Sequence, residues 1–110
     1  MDTPAAPGRF HLAMAVHQLQ PSVDDYTARL GQPPVALVPG RYALWRTPEI
    51  NLSVSVTDPT VAAGSLRHVG FEDPAAVPGP RQTDVNGVQW EAFTAADQDA
   101  EIVRTYGPPA

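Results

Sequence analysis

Three residues in this chain have side chains of the type that hold a divalent metal: His11, His68 and Glu91. Each lies midway along a segment of alternating residues, on the face opposite the large aliphatic side chains. Two imidazoles and one carboxylate occupy one triangular face of an octahedron and leave about three positions open for water or a ligand. That donor set suits Fe2+ and also accepts Mn2+, Ni2+, Co2+ or Zn2+. An ion held in this way acts as a Lewis acid on a molecule that chelates it through oxygen atoms. The three residues are far apart in the sequence, without the short spacing of a zinc finger. Only a fold that brings separate strands together can assemble them. The plainer alternative for His11 and His68 is a partly buried strand histidine bonded to a neighbour, and for Glu91 a solvated strand carboxylate. Glu91, however, follows Trp90 and precedes Phe93, and a carboxylate among aromatics is better explained by a nearby cation.

Other residues are candidates for the surroundings of such a site. Glu72 shares the strand face of His68, which makes it a candidate general base or a support for a ligand. Glu91 and Glu72 are thus the carboxylates available for catalysis. Arg46 and Asn51 are candidates to hold an anionic or polar substrate, with Trp45 as a wall, and scaffold roles are the alternative for each. His17 has the parity of His11, yet about 20 Å of strand separates them, so it reads as a surface residue.

The elements that must position these residues follow from periodicity and punctuation. Arg9 to Val16 alternates, with Phe10, Leu12, Met14 and Val16 on a core face and His11, Ala13 and Ala15 on the other. From Pro21 to Gly31 the spacing of Val23, Tyr26 and Leu30 predicts an amphipathic helix, with Asp24 and Asp25 in its first turn and Gly31 as its stop. Three strands are expected next, at 35–38, 42–46 and 50–56. A further strand is expected at LRHVGFE (66–72). The stretch PAAVPGP (74–80) is too rich in proline for a helix or a central strand. Asn86 and Gly87 read as the apex of a hairpin turn leading into a last strand through Glu91. Thr94, with Asp97 three residues on, reads as the cap of a helix ending at Tyr106, with Ala96, Ala100 and Val103 expected as its packing face. Tyr26, Leu30, Phe10, Phe71 and Trp90 are assigned to core packing.

Composition narrows the function classes. The 110 residues include 7 Arg, no Lys and 12 Asp plus Glu, a formal net charge of -5. With no basic run, the counterion release that drives nucleic-acid binding has nothing to act through, and neither nucleic acid nor an anionic membrane is an expected partner. The absence of Cys excludes thiolate nucleophiles, disulfides and Cys-type zinc or iron–sulfur sites. Residues 1–8 lack the pattern of a secretory signal and read as a disordered lead-in, with a single domain over 9–110 and a cytoplasmic location as the default. A domain of this size builds only a modest core, so a homodimer is expected.

The segments FHLAMAVHQL, YTARLG, YALWRTPEINLSVS and LRHVGFE together resemble the vicinal oxygen chelate superfamily, which includes glyoxalase I, extradiol dioxygenases, fosfomycin-resistance enzymes and bleomycin-resistance proteins. The resemblance implies an α+β fold in which paired βαβββ modules form a cupped mixed sheet around a metal. It places the ligands on the first strand of each module and the last strand of the second, which are the positions of His11, His68 and Glu91. The similarity is greatest to the arsenic- and cadmium-inducible branch; the cysteine thiolates of that branch's arsenic-cleaving members have no counterpart here. One complete module spans 9–65. The second, 66–110, is truncated and lacks its helix, and the C-terminal helix is expected to pack in the lost helix's place. The resemblance implies a metal-dependent lyase, isomerase or dioxygenase acting on a small oxygen-chelating molecule. The alternatives are a metal-free ligand-binding protein of the bleomycin-resistance kind and a dimerisation module without catalysis.

Overall fold

The computed structural model describes residues 8–110, so the expected lead-in lies outside the described residues except for Gly8. The chain runs β1 (Arg9–Val16), α1 (Leu19–Leu30), β2 (Ala36–Val38), β3 (Tyr42–Arg46), β4 (Ile50–Val56), β5 (Leu66–Glu72), β6 (Gln82–Thr83), β7 (Gln89–Phe93) and α2 (Ala95–Tyr106). The seven strands of the described residues join one open mixed sheet in the order β2-β3-β4-β1-β5-β7-β6. The fold is α+β, as expected. Two parallel pairs, β1 with β4 and β5 with β7, flank the antiparallel contact of β1 with β5 at the centre. No described helix is long and apolar enough to cross a membrane.

A parallel pair needs a crossover, and α1 lies on the one that joins β1 to β4. Leu19 and Val23 of α1 are buried against Val16, Ala43, Trp45, Leu52 and Val54, with Tyr26 and Leu30 packed at the margin. This helix begins at Leu19, two residues before the expected start, and Gln18 gives it no side-chain cap. Burial of Leu19 stabilises the two added residues, and Pro21 falls within the first turn, where its missing N–H is not needed. Asp24 and Asp25 therefore lie beyond the first turn. Gly31 ends the helix in the left-handed conformation at φ 74°.

The opposite face of the sheet is covered by α2. Thr94 and Asp97 form the expected capping box. The packing face is not the expected one: Ala96, Ala100 and Val103 are exposed, while Gln98, Ile102 and Tyr106 point inward. Ile102 packs with Ala36, Val38, Tyr42 and Leu44, and Tyr106 stacks on Tyr42 with ring centroids 5.1 Å apart. Gln98 turns inward because buried amide and guanidinium groups on the sheet need its hydrogen bonds.

Between β5 and β7 no helix is present among the described residues; the proline-rich connector and the short β6 take its place. The C-terminal helix covers β2 and β3 at the far end of the sheet. On the second half of the sheet, Phe10, Phe71 and Trp90 pack edge-on or tilted with centroids 5.5–6.3 Å apart, and Trp90 stays 36% exposed.

Candidate metal centre

Strand register brings the three candidate ligands together. His11 on β1 lies opposite Asn51 of β4 on one side and Gly70 of β5 on the other, and Gly70 lies opposite Glu91 of β7. The run Asn51, His11, Gly70, Glu91 thus crosses four adjacent strands, and His68, two residues before Gly70, shares the same face. Gly70 is required where it stands, since a Cβ there would run into the Glu91 backbone carbonyl. It lets β7 approach closely enough for Glu91 to reach both imidazoles.

The His68 Nε2 lies 2.8 Å from Glu91 Oε1 and 3.1 Å from His11 Nε2, and His11 Nε2 lies 3.5 Å from the same carboxylate oxygen. A circle through these atoms has a radius of about 1.8 Å, just under the roughly 2.0–2.2 Å of metal–nitrogen and metal–oxygen bonds, so one ion can touch all three. The group could hold a metal ion. Its open side faces a cleft of about 170 Å³ whose lining includes Tyr42, Ser55, Arg67, Arg81 and Glu101.

A buried hydrogen-bond network sets the state of His11. The Asn51 amide nitrogen donates to Glu72 Oε1 at 3.0 Å and to Gln98 Oε1 at 2.7 Å. Its carbonyl oxygen is thereby aimed at His11 Nδ1, 2.8 Å away, and an acceptor there assigns the ring proton to Nδ1. The lone pair is left on Nε2, toward His68 and Glu91. Burial, the largest influence, lowers the His11 pKa, and the His68 charge lowers it further against the opposing Asn51 bond and Glu91 charge. The neutral, ligating form is therefore favoured. The ring of Phe93 stands edge-on to His11, with centroids 4.9 Å apart.

Glu91 is held ionised. Burial, the largest influence, raises its pKa but is outweighed by the bonds and charges of His68 and Arg81, which bring it down to about 2. Arg81 Nε donates to Oε2 at 3.0 Å, leaving Oε1 for the histidines. His68 lacks the support that His11 has: its Nδ1 is buried without a hydrogen-bond partner among the described residues.

The other sequence candidates fall elsewhere. Glu72 is buried outside the cleft lining, where Arg9 Nη1 approaches it to 2.5 Å and Arg46 Nε to 2.9 Å. Burial works to raise its pKa, but the bonds from Arg9 and Asn51 and the two arginine charges keep it low. It orients Asn51 and sits away from any ligand in the cleft. Arg46 also bonds Gln98 Oε1 and Asp99 Oδ1, tying β3 to α2. Asn51 serves His11. Trp45 does not wall the cleft: strand parity puts it on the α1 face, 0% exposed, with its ring 5.9 Å from that of Tyr26 and its Nε1–H donating to Thr27 Oγ1. His17 is exposed, as expected.

Two cleft arginines escaped the sequence reading. Arg67 follows the parity of Val69 and Phe71, which would turn it away from His68. The register of β1 against β5 shifts between Ala13 and Met14, from Ala13 opposite His68 to Met14 opposite Leu66, so Arg67 is the extra residue of a bulge. Its side chain reaches Ser55 Oγ, at 3.0 Å, and lines the cleft. Arg81 lies at the end of the proline-rich connector, where no periodicity signals a direction.

A comparison with protein-family models and with curated proteins finds no match for this chain. What the fold and the site together define is an α+β protein with an open mixed sheet and a two-histidine, one-carboxylate cluster facing a cleft.

Proposed function

We propose that this protein binds one divalent metal ion, Fe2+, Mn2+, Ni2+, Co2+ or Zn2+, through His11, His68 and Glu91, and uses it to take up a small oxygen-chelating molecule in the manner of the vicinal oxygen chelate superfamily. The convergence of two Nε2 atoms and one carboxylate oxygen within 3.5 Å carries this reading. The bound ion would supply Lewis acidity, polarising the oxygens of its ligand. The chain's own part is to hold His11 as a neutral Nδ1–H imidazole through Asn51, to keep Glu91 ionised with Arg81, and to present the open side of the cluster to the cleft. The repeated parallel pairs β1/β4 and β5/β7, meeting at an antiparallel seam, support the likeness to a paired-module fold. A homodimer fits the half-exposed aromatic face of Phe10, Phe71 and Trp90, and sedimentation of the purified chain tests it.

Elemental analysis of tag-free protein, beside a His68→Ala variant, after dialysis against each metal in turn, tests the metal reading. About one ion per chain, absent from the variant, is the expected result. No bound metal in either protein overturns it and leaves a metal-free binding module.

A further inference from the structure

The cleft in front of the cluster is lined by two arginines, Arg67 and Arg81, and two glutamates, Glu91 and Glu101. These charges balance. A dication at the cluster tips the balance to two positive charges, which favours a ligand carrying two negative ones. The two arginines differ in their engagement. Arg81 is paired with Glu91. Arg67 has no carboxylate partner among the described residues; one of its N–H groups is anchored on Ser55 Oγ, and its other donors remain for a ligand. The β-bulge is what places Arg67 in the cleft, since an unbroken strand would have pointed it to the other face.

We propose, resting on the metal reading above, that the ligand is a small dianionic acid: two neighbouring oxygens chelate the ion, and a second, remote carboxylate is held by Arg67. The cleft volume of about 170 Å³ is that of roughly six waters in the liquid, enough for a four-carbon diacid. A guanidinium–carboxylate bond in a partly buried site distinguishes such a diacid from a monoacid with the same chelating end by about tenfold or more in affinity.

Calorimetric titration of the metal-loaded protein with malate and with 2-hydroxybutyrate tests this, since both offer the same hydroxyl and carboxylate chelate but only malate has a remote carboxylate. Malate is expected to bind at least about tenfold more tightly, and Arg67→Gln to abolish that preference while leaving metal content and 2-hydroxybutyrate affinity unchanged. Retention of the preference in Arg67→Gln overturns the proposal. Equal affinity for the two acids, or no binding of either, in the wild-type metal-loaded protein overturns it as well. Loss of both ligands together in the variant assigns Arg67 a structural role and has the same consequence. Elemental analysis before titration separates the two readings: protein that takes up no metal removes the cluster and this ligand with it, whereas metal-loaded protein indifferent to Arg67 removes only the ligand.

Discussion

The two halves of the sheet share a pairing scheme and differ in how they are supported. In the first, the parallel pair β1/β4 has α1 packed over its outer face and Trp45, Leu52 and Val54 beneath the helix. In the second, the parallel pair β5/β7 is linked by a proline-rich connector and β6, and Phe71 and Trp90 pack with Phe10 in a half-exposed patch that no described helix buries. The same asymmetry reaches the cluster: His11, from the first half, is oriented by the relay of Arg9 and Arg46 to Glu72, Glu72 to Asn51, and Asn51 to His11. His68, from the second, has a buried Nδ1 with no partner among the described residues. The second half has no described helix between its paired strands and still carries two of the three donor residues, because donor placement depends on register, whereas a helix contributes core.

The widest difference between the halves should appear in their tryptophans. Trp45→Ala is expected to cost about 3–5 kcal/mol, as for a fully buried large aromatic, and Trp90→Ala, at a partly exposed position, about 1–2 kcal/mol, both read from urea denaturation. Equal losses would mean that the second half is covered in solution.

Gly70→Ala tests whether the uncovered half depends on close strand approach. A methyl group against the Glu91 carbonyl should push β7 away, with a stability loss of about 1–3 kcal/mol and a loss of metal uptake beyond that of the folded fraction. Normal metal binding by Gly70→Ala would show that the two strands can separate without dispersing the ligands.

Asn51→Ala sharpens the contrast at the cluster itself. Removing the partner of His11 Nδ1 should weaken metal binding about 10- to 100-fold, measured by competition with a chromophoric chelator. An unchanged affinity would place His11 on a par with the unsupported His68.

The smallest effect concerns Tyr42, in the half covered by α2. Its burial, opposed by the Ser53 bond, raises its pKa to about 12. The folded protein therefore holds the phenolic proton after the unfolded chain begins to lose it near pH 10. This contribution is complete below pH 10 and declines by up to about 1.4 kcal/mol per unit as the pH rises toward 12. Urea midpoints between pH 9 and 12 should fall more steeply for the wild type than for Tyr42→Phe, and parallel curves would show that Tyr42 is not shielded.

Much of this was legible in the sequence because it is local. Alternation marked β3, β4 and β5 at their observed ends, and Thr94 with Asp97 marked the start of α2. The parity of His11, His68 and Glu91 placed all three on a common face. Local patterns failed where a side chain answered to a partner remote in sequence. Gln98 faces inward and Val103 outward because Asn51 and Arg46 require the amide. Leu19 joins α1 because the core accepts it, and Trp45 belongs to α1 and not to the cleft.

The amino-acid order by itself determined every strand but the two-residue β6, the capping of α2, the exclusion of cysteine chemistry and the three donor types. Tertiary structure alone decided that His11, His68 and Glu91 converge within 3.5 Å, that Glu72 supports Asn51, and that Arg67 turns into the cleft. Periodicity fixes the face on which a side chain leaves its own strand, whereas the distance between side chains on different strands depends on register. Here register turns on a bulge at Arg67 and a missing Cβ at Gly70, whose effects exist only once neighbouring strands have paired.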